Sequence, residues 1–435
     1  MVSTSLVHLV SSVLLFLLSG TVAFDNSRFD NVAVYWGQNS YGAVHGTDTA
    51  NFQKRVSAYC QDNSIDVIPI AFVNVFFGPG GLPSMNLANT CNPTDNATFP
   101  GTNLPNCASL ASDIKTCQSK GKILTLSLGG ATGSVGFQSD DQANSFAQTV
   151  WDLFLGGSSS TRPFGDAVLD GVDLDIEGGG SDHYVTFVNR IRSLAGSAGK
   201  NALGGVLNTA VFDAIYVQFY NNPCGLTHFT EPNGWDFGIW DQWARTVSPN
   251  KNVKVYIGAP ASPTAAGSGY VDPGTISSIA IQMRKSFPSF GGVMLWDASQ
   301  AVNNNNYHTA IKNALVAAGG TGFVFPTCSG TPAWVSGMNY PGTSKVAFGG
   351  YIWESKFFTN TQPSAAAPNT NSDWTALSAC SGSGSSGGGG GTGGGGCSGV
   401  SDWASGQVYV GGQQAIFKQV LFALSLVVKL PTDSL

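Results

Sequence analysis

AVLDGVDLDIEGGG, residues 167–180, decides how the rest of the chain is read. Within it Val172, Leu174 and Ile176 alternate with Asp173, Asp175 and Glu177. On a β-strand that period of two puts the apolar side chains on one face and three carboxyl groups in a row on the other. Glu177 ends the row, and three glycines behind it leave the backbone free to turn. Crowded carboxylates repel, which favours keeping at least one of them protonated near neutral pH. A protonated Glu beside an ionised Asp is what general acid catalysis requires. The same pattern also suits calcium binding or a solvated sheet edge, so the rest of the chain must arbitrate.

Working outward, strand-like apolar runs stand at 32–36, 65–73, 122–128, 167–177, 214–220, 253–257 and 292–296. Each is followed by Gly, Asn or Pro and then a longer, helix-compatible segment. Strands alternating with helices over about 300 residues predict a parallel sheet closed into a (β/α)₈ TIM barrel. The chemistry of such a barrel sits at the C-terminal ends of its strands. Polar and aromatic residues fall there: Tyr35, Trp36 and Gln38, then Ser127, then Glu177, then Gln218, Tyr220 and Asn221, then Trp296 and Asp297. Seven strands are legible where a barrel needs eight. Ala167 and Ala214 begin strands only about 47 residues apart, whereas two complete strand-helix units need about 60. One helix is expected over 182–194 and a weaker one within 202–212, with no β-rich run between them. The fifth strand is missing from this reading.

Bulk properties narrow the function classes. Only 11% of the 435 residues are charged, the net charge is −6, and no basic cluster stands out, which argues against a nucleic-acid partner. Residues 6–18 form an apolar run followed by small residues, which predicts a secretory signal over 1–23 cut before Phe24 and no transmembrane span once it is removed. Eight cysteines in an exported chain predict disulfides, and Asn96-Ala97-Thr98 is a glycosylation triplet.

The motif Asp170-Gly171-Val172-Asp173-Leu174-Asp175-Ile176-Glu177 is the DxxDxDxE signature of family 18 glycoside hydrolases. Together with Tyr35-Trp36-Gly37-Gln38-Asn39, Ser127-Leu128-Gly129-Gly130, Gln218-Phe219-Tyr220-Asn221-Asn222-Pro223 and Gly292-Val293-Met294-Leu295-Trp296, it resembles the hevamine-type class III branch of plant and fungal endochitinases over roughly residues 28–316. The resemblance implies that Glu177 protonates the glycosidic oxygen and that the substrate's own N-acetyl carbonyl is the nucleophile, an exception to the two-carboxylate scheme. It implies further that Asp175 orients the acetamido N–H, that Asp173 lies buried behind it, and that Tyr220 hydrogen-bonds the acetamido oxygen. Trp296 would form the floor beneath the sugar, and Gln38, Gln218 and Asn221 are further candidate substrate contacts. By the same resemblance Cys60 pairs with Cys117 and Cys91 with Cys107. Cys224 is left an orphan, because its partner belongs to the loop after the absent fifth strand.

Beyond Gly319 the composition changes. Residues 328–380, bracketed by Cys328 and Cys380, are short, polar and aromatic-rich, which predicts a small β-rich module. They resemble the small chitin-binding modules of bacterial and fungal chitinases, and Tyr351, Trp353 and Phe357 are the candidate sugar platform, since exposed rings stack on sugar faces. Residues 381–396 form a Gly/Ser linker. Residues 397–435 begin a second copy of the module that then decays, so a truncated repeat with an unpaired Cys397 is expected, a surface-anchor signal being the alternative.

The expected protein is thus a secreted, monomeric endochitinase with a barrel over 24–319. It acts on β-1,4-linked N-acetylglucosamine chains with retention and without metal or cofactor, outside the cell or at its wall. The rivals are a non-catalytic chitin-binding lectin or inactive copy, for which the missing strand argues, and an enzyme that removes N-linked glycans.

Overall fold

The computed structural model describes residues 23–178, 180–196, 206–231, 234–363, 372–382 and 425–429. Residues 1–22 of the expected signal over 1–23, residues 383–396 of the expected Gly/Ser linker, and residues 397–424 and 430–435 of the expected truncated repeat, Cys397 among them, lie outside the described residues.

Among the described residues there are twelve strands: β1 (Asn31–Val34), β2 (Val67–Val75), β3 (Ser84–Met85), β4 (Ile123–Gly129), β5 (Gly171–Asp175), β6 (Ala214–Gln218), β7 (Lys254–Pro260), β8 (Phe290–Trp296), β9 (Lys345–Phe348), β10 (Tyr351–Ser355), β11 (Trp374–Ala379) and β12 (Ser425–Lys429). All seven strands expected for the barrel form. They lie in the order β1-β8-β7-β6-β12-β5-β4-β2, and β1 pairs again with β2, so the sheet closes on itself. The slot between β5 and β6, where the sequence shows no fifth strand, holds β12, antiparallel to both neighbours.

Period-two alternation builds two cores from the same strands. Val32 and Val34 of β1, Val172 and Leu174 of β5, and Ile215 and Val217 of β6 pack outward in one large cluster with the helices. Ala33, Tyr35, Ala214, Tyr216, Tyr256 and Met294 point the other way and fill the barrel with Phe72 and Trp296.

The ten α-helices among the described residues are α1 (Ser40–Val44), α2 (Val56–Tyr59), α3 (Ala111–Ser119), α4 (Asp140–Phe154), α5 (Tyr184–Leu194), α6 (Val206–Thr209), α7 (Phe237–Thr246), α8 (Pro273–Ser286), α9 (Ala298–Asn303) and α10 (Tyr307–Ala317). In α4 the buried residues Ala143, Phe146, Ala147, Val150 and Phe154 recur at three- and four-residue spacing, one helical stripe against the sheet. Ser139 starts α4 by accepting from Gln142 N, and Asp272 starts α8 by accepting from Gly274 N and Thr275 N, with Pro273 at the first helical position. Helix α5 realises the 182–194 expectation, and the short α6 is what the structure describes of the weaker one.

Strands β9, β10 and β11 form a separate antiparallel sheet. Its core is continuous with the barrel's outer core: Tyr340, Tyr351, Trp353 and Trp374 belong to the same buried cluster as the helices. Gly238 of α7 lies so close to β11 that a Cβ there would come within 2.6 Å of Ala376 Cβ. Across the seam Tyr351 Oη donates to Asp241 Oδ2 at 2.7 Å, while Ser289 N and Oγ donate to Asp241 Oδ1 at 2.9 and 2.6 Å. Arg245 donates to Tyr351 Oη at 2.9 Å. Burial raises the pKa of Asp241, and these hydrogen bonds oppose the rise.

Tyr351 and Trp353 were expected to present a platform to sugar, and the structure corrects this. They are 2% and 0% exposed, because period-two alternation along β10 turns Tyr351, Trp353 and Ser355 to the seam. Phe357, beyond the strand end, is 50% exposed.

Cys60–Cys117, Cys91–Cys107 and Cys328–Cys380 are disulfides, and Cys224 is a free thiol. Near Cys224 lies the half-buried Asp236, whose pKa desolvation pushes up to about 6 against the pull of Lys356 from the small sheet.

Candidate active site

The C-terminal ends of the barrel strands converge on β5. Pairing with β4 sets Ser127 beside Asp173 and Gly129 beside Asp175, so the inward row of carboxyls runs next to the Ser-Leu-Gly-Gly segment. Gly129 is required there: at φ +119° a Cβ would stand 2.1 Å from Asp175 O. Gly37 plays the same part after β1, where a Cβ would stand 2.0 Å from Ala71 O.

Asp173 is completely buried. Its Oδ2 accepts from Tyr35 Oη at 2.8 Å, across the barrel, and from Ser127 Oγ at 2.5 Å. One step toward the mouth, Asp175 is also buried, and its Oδ1 has no hydrogen-bond partner among the described residues. Burial, with the charges of Glu177 and Asp173 beside it, pushes the Asp175 carboxyl well above the usual range. Glu177 is half-buried just past the strand end, and burial raises its pKa too.

The facing wall comes from β6. Tyr220 is buried, and burial together with the nearby Asp175 and Glu177 charges raises its pKa strongly, so it stays a neutral hydroxyl at any physiological pH. Tyr216, two strand positions before Gln218, stands edge-on to Tyr256 with ring centres 5.0 Å apart and senses the Asp173 charge. Trp296, half-buried at the end of β8, lies 5.5 Å from the Tyr35 ring and stacks on Phe72 at 5.9 Å. Asp297 next to it caps α9 and accepts from Ser40 N at 3.0 Å, which ties the β8 end to the loop after β1.

Asp173, Asp175, Glu177, Tyr220 and Trp296 are therefore brought to one mouth. Gln38 Nε2 is committed to backbone oxygens, Ala71 O at 2.8 Å and Asn86 O at 2.9 Å, so it braces the rim with that atom. Gln218 is half-buried at the end of β6, while Asn221 is exposed and its Oδ1 accepts from Ser268 N at 2.9 Å, pinning the loop after β7. Trp36 packs outward, with Nε1 donating to Lys54 O, and takes no part in the mouth. Phe72 and Tyr216 were not singled out from sequence, although Tyr216 lies on the same strand face as Gln218. Among the described residues no group of three or more His, Cys, Asp or Glu is placed to hold a metal ion, and no helix is long and apolar enough to cross a membrane.

Such a mouth can donate a proton from a raised carboxyl, hold a developing positive charge beside a second carboxyl, and offer a hydroxyl and an indole face to a sugar-sized ligand. The chain is similar to known proteins. Residues 31–265 match the model of the glycosyl hydrolases family 18. Chitinase 2 of Rhizopus oligosporus is 46% identical over 314 residues, 70% of this chain and 55% of that protein. The chain thus spans little more than half the length of this relative. Among solved structures, a chitinase from Ipomoea carnea superposes with a TM-score of 0.52 at 32% identity, covering 65% of this chain and 99% of that one. A xylanase and alpha-amylase inhibitor protein from Scadoxus multiflorus superposes with a TM-score of 0.51 at 31% identity, covering 65% and 98%.

Proposed function

The chain belongs to glycosyl hydrolase family 18, and from that premise we propose that it is a secreted, monomeric endochitinase that cleaves β-1,4-N-acetylglucosamine chains with retention of configuration. The observation that carries the reading is Asp175: buried, crowded by Asp173 and Glu177, and with Oδ1 open to receive a donor. An acetamido N–H is such a donor. With that N–H held by Asp175 and the acetamido oxygen steadied by the Tyr220 hydroxyl, the oxygen attacks the anomeric carbon while Glu177 gives its proton to the departing glycosidic oxygen. The resulting oxazolinium cation lies against Asp175, and its positive charge opposes the raised pKa there and favours the carboxylate, an interaction that strengthens as charge develops. Water then adds to the same carbon, its proton goes to the Glu177 carboxylate, and the acid is restored. Tyr35 and Ser127 hold Asp173 still throughout. Export is supported by the apolar run at 6–18 and by three disulfides. The small sheet would add affinity for the polymer through side chains other than Tyr351 and Trp353.

A fluorogenic N-acetylglucosamine trimer tests the reading. The parent should release the fluorophore, and Glu177→Gln should lose about 10²–10⁴-fold in kcat with an unchanged melting temperature. A folded parent that holds chitin and releases nothing refutes the enzyme reading. That outcome would favour a binding protein, and the Scadoxus xylanase and alpha-amylase inhibitor protein is one of similar fold.

A further inference from the structure

Strand β12 lies more than 200 residues downstream of both strands it joins. Val428 and Lys429 stand in register with Val172 and Gly171 of β5, and Ser425, Leu426 and Val427 with Tyr216, Ile215 and Ala214 of β6. Among the described residues β5 and β6 do not pair with each other. Without β12, both would show a row of unpaired N–H and C=O groups inside a folded domain, which is costly and invites another strand. The strand's own sequence, Ser425-Leu426-Val427-Val428-Lys429, includes the β-branched pair Val427-Val428, a residue type that suits a strand. Its antiparallel direction is open to a segment that enters from outside the strand-helix alternation, since no crossover helix dictates its sense.

The slot has consequences for the mouth. Asp173 and Asp175 ride on β5, while Tyr216, Gln218 and then Tyr220 ride on or beyond β6. One intervening strand keeps β5 and β6 about 10 Å apart, twice the usual spacing of neighbours. We propose that residues 425–429 are a separable stave of the barrel: this downstream segment of the same chain fills the slot of the missing strand, and its occupancy sets the spacing between the carboxylate wall and the Tyr220 wall. The segment is thereby a switch on the same site, so this inference rests on the proposed function for its consequence, though not for its structure. Losing the stave, by proteolysis or by displacement, turns the site off, and a free peptide of the same sequence turns it on.

Hydrogen exchange on the intact chain reads the stave directly. The amides of 425–429 and those of Val172 and of Ala214 and Tyr216, which face β12 because Asp213 and Phe219 bond across to β7, should be protected together; amides of 425–429 exchanging as in a free peptide overturn the proposal. In the full chain Val427→Pro removes a backbone donor within the stave, whereas Gln413→Pro lies outside it. The first should lower trimer cleavage about 100-fold and the second should leave it unchanged. Deleting residues 420–435 should match Val427→Pro, and a synthetic peptide of 420–433 should restore both melting temperature and cleavage. Equal activity and melting temperature in the deleted and parent chains overturn the proposal, as does protection that appears only in a dimer. If the parent cuts nothing, the proposed function fails, while exchange and peptide-restored melting still decide the stave.

Discussion

Two aromatic clusters invite the same reading and have opposite fates. At the barrel mouth Tyr35, Phe72 and Trp296 meet within 5.5 to 6.3 Å, with Trp296 half-open beside buried carboxyls. In the small sheet Tyr340, Tyr351, Trp353 and Trp374 are closed off, and their polar atoms are spent on protein: Trp353 Nε1 on Phe348 O, Trp374 Nε1 on Thr361 O, Tyr351 Oη on Asp241. Ring count therefore says little about sugar binding. What separates the clusters is whether a ring is left half-covered at a strand end next to groups that do chemistry.

The strongest way to break this comparison is to truncate one ring from each side. Trp353→Ala should destabilise the fold by about 3–5 kcal/mol, read by denaturant unfolding, with chitin affinity per folded molecule unchanged. Trp296→Ala should do the reverse, raising KM about tenfold with a smaller loss of stability, because only part of its surface is buried. Trp353→Ala weakening chitin binding at full stability would place a sugar on the closed side after all.

A second test uses the charge at the seam. Asp236 is half-buried, and desolvation pushes its pKa up to about 6. Its folded pKa lies above the unfolded value of about 3.9, so the folded state binds more protons between the two. Stability from this group is full below about pH 4 and is lost as pH rises through 6, on the order of 2–3 kcal/mol in all. Asp236→Asn should flatten that decline in melting temperature between pH 4 and 7, without moving the pH profile of trimer cleavage. That profile belongs to Glu177, whose raised pKa keeps the acid protonated to higher pH than an exposed Glu. A decline as steep in the variant as in the parent would mean Asp236 does not report the seam.

Tyr351→Phe is gentler. It removes the hydroxyl that donates to buried Asp241 and leaves Arg245, 3.7 Å away, as the remaining charge partner on that oxygen. About 1–3 kcal/mol of stability should go, with kcat and KM intact.

These contrasts also mark how far the sequence could be read. The barrel strands and the carboxyl row were legible because period-two alternation is written locally, five residues at a time, in Val172-Asp173-Leu174-Asp175-Ile176. Tyr35 and Ser127 as holders of Asp173 were not, since Tyr35 reaches it across the barrel from 138 positions away. The missing strand was legible as a spacing deficit; its replacement by 425–429 was not, because nothing local in an apolar run says which distant edge it joins. Tyr351 and Trp353 carried a usable signal that went the other way: with Ser355 they alternate with Ile352 and Glu354, which puts both rings on one buried face. Composition suggested a platform, and periodicity, the stronger physical constraint, described a core.

The smallest expected effect falls on Phe357, the one member of the expected platform that remains in solvent. It stands beside Phe358, 65% exposed, just beyond the end of β10. Removing a half-exposed ring outside the core should change stability by no more than about 0.5 kcal/mol. If the small sheet holds chitin, these rings are where the apolar face of a sugar can rest, and Phe357→Ala should weaken retention on chitin beads several-fold while trimer cleavage, which needs only the barrel mouth, stays at the parent rate. Retention equal to the parent's in the Phe357→Ala, Phe358→Ala double variant would leave the small sheet with a purely structural part: a patch sealed onto α7 and α8, whose aromatics hold it to the barrel.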